Sequence, residues 1–93
     1  MPPDPLPAAL CDAAGQPVLL AGPDLLTAPP HTLAVDDEPS VEVRGWAGPW
    51  PVVQRWWAPG SVVGSRLQVL CADGTAFLLF ARAGRWEVTG AYD

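Results

Sequence analysis

The chain has 93 residues, 49% hydrophobic and 16% charged, and a formal net charge of −5 with five arginines and no lysine. That length makes one domain, and one that buries only about 60–65% of its unfolded surface, so its core has little margin. The charge balance excludes an autonomous nucleic-acid binder, which needs a basic surface against phosphate, and it disfavours attraction to an anionic membrane.

In chain order, residues 1–7 carry four prolines and read as a flexible lead-in to a single small β domain over residues 8–93. Met1-Pro2-Pro3-Asp4-Pro5 has neither the basic start nor the apolar stretch of a signal peptide, and no apolar run approaches a membrane-spanning length, so a cytoplasmic location is expected. Short apolar runs between turn signals then set an all-β rhythm. Residues 8–11 and 17–21, around Asp12-Ala13-Ala14-Gly15-Gln16, predict a first hairpin. Residues 25–28 and 32–35 flank Pro29-Pro30 and predict one helical turn and one strand. Asp36-Asp37-Glu38-Pro39 reads as an exposed acidic turn, and Val41-Glu42-Val43-Arg44 alternates as a half-buried strand with both valines inward.

The last third predicts a three-stranded meander: residues 66–71, a turn at Ala72-Asp73-Gly74, residues 75–82, a turn at Ala83-Gly84, and residues 85–92. Asp73-Gly74 is a hairpin signal because glycine supplies the positive φ such turns need. Strict alternation places Trp86, Val88, Gly90 and Tyr92 on one face, with Glu87 and Thr89 on the other. Leu78, Leu79 and Phe80 make the middle strand apolar on both sides, so the strand is covered on both sides or one side is an interface. The expected fold is all-β: a small antiparallel barrel or rolled sheet of about five to seven short strands, ending in that meander.

Chemistry requires titratable groups gathered in one place. His31 is the single histidine and lies in a turn-rich stretch. Asp36, Asp37 and Glu38 lack the glycine-centred loop of a calcium site, and Cys11 and Cys71 show neither a metal spacing nor a disulfide framework. No catalytic residue, cofactor or metal site is expected, and the chain is read as a non-enzyme.

Four of the five tryptophans, Trp46, Trp50, Trp56 and Trp57, fall within 12 positions. Tryptophan is bulky and costly to leave in water, so a small domain uses it either as core or as an anchor for a partner. The expectation is that Trp46, Trp50, Trp86 and one of Trp56 and Trp57 fill the core. Neighbours in a strand point to opposite sides, so the other member of the pair, with Leu78 or Phe80, forms a hot spot for a protein. The candidate partner-binding residues are Trp50, Trp56, Trp57, Leu78 and Phe80. Two alternatives use the same aromatics: stacking of single-stranded nucleic acid on Trp50 and Trp57, and a tryptophan-rich barrel for carbohydrate or another ligand.

Gly45-Trp46-Ala47-Gly48-Pro49-Trp50-Pro51-Val52, Arg55-Trp56-Trp57, Pro59, Arg66-Leu67-Gln68-Val69, Asp73-Gly74, Gly84-Arg85-Trp86 and Tyr92-Asp93 resemble, in that order, the C-terminal region of ImuB proteins. These are Y-family DNA polymerase homologues without the catalytic carboxylates. The chain departs from the pattern mainly at polar positions, such as Gln54, Ala58 and Glu87. The resemblance implies a non-catalytic assembly domain in damage-induced translesion synthesis, with a RecA-like protein of the ImuA type or a DnaE-type error-prone polymerase as its partner.

Overall fold

The computed structural model describes residues 6–22, 24–54, 62–82 and 84–92. The regular structure among them is entirely β: β1 (Leu6–Cys11), β2 (Leu20–Gly22), β3 (Leu25–Leu26), β4 (Thr32–Val35), β5 (Val41–Gln54), β6 (Val62–Cys71), β7 (Ala76–Arg82) and β8 (Arg85–Tyr92). Six strands close an antiparallel barrel in the order β1-β4-β5-β6-β7-β8, with β1 paired to β8 through Leu6↔Val88 and Ala8↔Trp86. The strands β2 and β3 form a separate two-stranded flap. An all-β barrel ending in a meander is what the sequence predicts.

The meander forms because its turns have the right chemistry. At β6–β7, Gly74 takes φ 92°, and the Asp73 carboxylate accepts from Thr75 N at 2.9 Å. Cys71 N donates to Thr75 O at 2.8 Å, closing the loop. The side chains pointing inward from these strands, Leu67, Val69, Cys71, Leu79, Ala81 and Trp86, join Leu10, Val18 and Leu33 in one core. Val41 and Val43 pack against it, as their alternation predicts.

The predicted first hairpin is largely replaced. Its turn exists: the Asp12 carboxylate accepts from Ala14 N and Gln16 N, each at 2.9 Å, and Gly15 sits at φ 81°. The return strand, however, is limited to a Cys11↔Pro17 bridge and Val18 N donating to Leu10 O at 2.7 Å. Proline has no N–H to extend a ladder. The chain then departs into the flap, and β4 takes the place beside β1 through Leu10↔Leu33 and Cys11↔Thr32. Residues 25–28 hold the short strand β3 rather than a helical turn. The first strand begins at Leu6, two positions before the predicted boundary.

Val18 ends fully buried, and the Trp86 indole N–H donates to its carbonyl at 2.7 Å. That bond ties the loop covering this end of the barrel to the last strand. The pairing of β5 is lopsided. Strand β6 follows it from Val43 to Gln54, but β4 meets it only through Thr32↔Glu42 and Leu33↔Val41. From Arg44 onward β5 has no ladder partner on that second edge among the described residues.

Trp86→Phe removes the indole N–H and leaves the Val18 carbonyl unpaired in the interior. Urea unfolding is expected to show a loss of about 1–3 kcal/mol. A variant as stable as the parent would mean that this bond does not hold the end of the barrel in place.

Candidate functional site: an apolar face and a cleft

The barrel exterior is built from cross-strand rows, since directly paired residues share a face. Gly45, Leu70, Ala76 and Tyr92 form one row across β5 to β8. Ala47, Gln68, Leu78 and Gly90 form the next, and Trp50, Arg66, Phe80 and Glu87 the third. The first two rows contain no charged side chain. Leu70 is 43% exposed and Tyr92 61%.

Tyr92 reaches this face through a β-bulge. The β7–β8 register shifts between Leu78 and Leu79, which pair with Gly90 and Val88. Thr89 is the extra residue, and its hydroxyl donates to Leu78 O at 3.1 Å. Trp86 and Val88 therefore face inward as predicted, whereas Gly90 and Tyr92 join Glu87 outside. A bulge reverses the alternation beyond it.

The tryptophans divide differently from the expectation. Trp86 is 3% exposed and belongs to the core, but Trp46 and Trp50 are 44% and 38% exposed. Register shifts in β5 between Val43 and Gly45 and between Ala47 and Trp50 turn this stretch out of the barrel's regular alternation. Gly48 occupies the second of these bulges at φ 98°, where a Cβ would meet the Trp50 ring and lie 3.0 Å from Arg66 O. Glycine is required there on both counts. Trp56 and Trp57 lie outside the described residues.

Of the other predicted partner-binding residues, Leu78 is half-buried on the outer face, and Phe80, on the same face, is only 5% exposed. The Phe80 ring lies against Gly64, where an added Cβ would come within 2.6 Å of Phe80 Cζ and also meet Ala81 O. Phe80 is thus a packing residue of the outer layer and not an offered anchor. Beside it, Arg66 has a buried Nε without a hydrogen-bond partner among the described residues. Leu70, Tyr92 and Trp46 are exposed large side chains that were not among the predicted partner-binding residues. Leu70 was legible as the outward residue between buried Val69 and Cys71, but Tyr92 was hidden by the bulge.

A second feature is a cleft of about 320 Å³ between the flap and β5. Leu25, Thr27 and Pro29 line one side, Trp46 and Pro49 the other, and Asp24 contributes at the flap.

The acidic groups sit mainly on turns. Asp36, Asp37 and Glu38 are exposed on the β4–β5 turn, with Asp36 at φ 52°. His31 is exposed, and its backbone N donates to Cys11 O at 2.7 Å. No group of three or more His, Cys, Asp or Glu residues among those described is placed to hold a metal ion. Burial pushes the Cys71 thiol above its ordinary pKa, and the Asp73 carboxylate adds in the same direction. Such a thiol is a poor nucleophile.

No protein-family model matches this chain, and no solved structure matches it. Among curated proteins it is similar to a probable actinorhodin transporter of Streptomyces coelicolor, at 38% identity over 69 residues. Those residues are 74% of this chain but 12% of the transporter, so the chain spans a small part of that relative's length. This finding overturns the ImuB resemblance and the DNA-repair and translesion role drawn from it. The nucleic-acid stacking and carbohydrate-barrel alternatives gain no support from it either. Among the described residues, no helix is long and apolar enough to cross a membrane.

Two outcomes follow. With 5-fluorotryptophan incorporated, the fluorine resonances lost in Trp46→Phe and Trp50→Phe are expected to shift between H2O and D2O, and the one lost in Trp86→Phe is not. Equal shifts at all three would contradict this division of the tryptophans. Because Cys71 keeps its proton in the folded state where the unfolded thiol, with a pKa of about 8.5, has lost it, stability falls as pH rises through that range. Compared with Cys71→Ala, the parent protein should lose stability more steeply from about pH 8 to 10. Parallel pH profiles for the two proteins would refute it.

Proposed function

We propose that this chain is a non-catalytic protein-binding module that docks through the outer face of β5 to β8. The observation that carries this reading is the pair of exposed large side chains, Leu70 and Tyr92, in a row completed only by Gly45 and Ala76. The exterior of a small antiparallel barrel ordinarily alternates to polar residues. An apolar surface of this kind marks an interaction site, and Tyr is among the residues enriched in binding hot spots.

The partner is a protein rather than a nucleic acid or an anionic membrane. The face has no basic residue in its first two rows, and the neighbouring β6–β7 turn carries Asp73. The cytoplasm is the proposed location, because Cys11 and Cys71 are both unpaired and free thiols suit a reducing compartment.

A photo-crosslinking amino acid at position 70 tests the proposal in the native host. A discrete crosslinked protein band is expected from position 70, none from a control at Ala14 in the exposed first turn, and loss of the band on adding Tyr92→Asp. No band from position 70, or equal bands from both positions, would end the proposal.

A further inference from the structure

We propose that the cleft between the flap and β5 is a separate binding site for an extended, proline-rich peptide segment carrying a basic residue. The inference goes beyond the docking face, since the cleft contains neither Leu70 nor Tyr92.

Both walls are fixed before any ligand arrives. On the flap side, Thr27 N donates to Leu19 O at 2.9 Å and Leu19 N donates to the Thr27 hydroxyl oxygen at 3.1 Å. On the β5 side, Gly48 holds its left-handed conformation with the Trp50 ring against it, and Pro49 is buried. A preformed site avoids the cost of ordering loops on binding.

The chemistry of the walls selects the ligand. Trp46, 44% exposed, lines the cleft with its indole. Exposed Leu25 and Pro29 face it across the cleft. A polyproline II segment suits such a surface. Its rings pack on aromatic and proline walls, its carbonyls have no internal partners and accept from an indole N–H, and its backbone is already extended. At about 320 Å³ the cleft is at the small end for ligand sites, matching a few side chains of a linear segment rather than a bulky cofactor.

Charge sets the second requirement. Asp24 is exposed at the cleft, which contains no basic side chain, and the whole chain carries −5. A ligand arginine or lysine gains from Asp24, whereas an acidic segment is repelled. The chain's own Met1-Pro2-Pro3-Asp4-Pro5-Leu6-Pro7 is rich in proline but carries an aspartate and no base. It serves as the unfavourable comparison.

The test is an NMR titration of the full chain with a synthetic heptapeptide of arginine, proline and leucine (RPLPPLP). Expected are saturable shifts at Trp46, Leu25 and Thr27, and weaker binding when glutamate replaces the arginine. Trp46→Ala should weaken binding by about tenfold or more, and Asp24→Asn by about two- to threefold with loss of the salt dependence. Asp24→Arg should reverse the preference toward the glutamate peptide. Trp46 and Asp24 are both exposed and take little part in the core, so the three variants should remain folded, as their spectra will show. Absence of saturable shifts, or binding that Trp46→Ala leaves intact, overturns the proposal. Crosslinking from position 70 should be unchanged in Asp24→Arg, since Asp24 lines the cleft and not the surface beside Leu70, so the cleft and the docking face fail or stand independently.

Discussion

The segment that covers one end of the closed barrel is tied to the last strand by the bond from the Trp86 indole to the Val18 carbonyl. The two residues are 68 positions apart, and the bond is buried. It links the final strand to the segment between β1 and β4, which takes little part in the barrel ladder. Val18 is also held by its N–H to the Leu10 carbonyl and by packing in the core, against which Leu20 and Leu26 of the flap rest. The flap is in turn one wall of the cleft, so the geometry of that surface is inherited from a contact in the core. A domain this small has few such contacts, and a buried tryptophan that both fills volume and satisfies a carbonyl accomplishes two tasks at once.

The meander was the most readable part of the sequence because each of its signals is local. Asp73-Gly74 specifies a turn through one carboxylate and one positive φ, and the inward residues of β6 follow strict alternation. What escaped reading was non-local or irregular. Nothing near Pro17 announces that β4 will displace the return strand beside β1, since that choice depends on residues more than ten positions away. Bulges were equally hidden. One at Thr89 carries Tyr92 outside, and those in β5 expose Trp46 and Trp50, although their bulk suggested core. The composition pointed correctly to a tryptophan as keystone, but the keystone is the isolated Trp86 and not a described member of the cluster.

The ImuB resemblance rested on tryptophans, prolines, glycines and hairpin turns. In this structure those residues have local structural explanations: Gly48 for a bulge, Gly74 for a turn, Trp86 for the end of the barrel. Such features recur wherever a short chain must close a β-barrel, so they report on folding more than on descent. The polar positions, which would have carried information about a shared partner, were the ones that departed from the pattern. Function here is better argued from the exposed face and cleft than from the order of the aromatic residues.

The long second edge of β5 has a consequence of another kind. A strand edge without a ladder partner is a template for intermolecular sheet growth, and this one, which has none among the described residues, runs through a stretch rich in valine and tryptophan. Pro49 and Pro51 lie along it, each lacking the N–H that a visiting strand would need, and the bulge at Gly48 breaks the flat geometry that stacking requires. The prolines flanking Trp50 act as guards against aggregation. They allow an exposed hydrophobic strand to remain in a small domain without recruiting copies of itself.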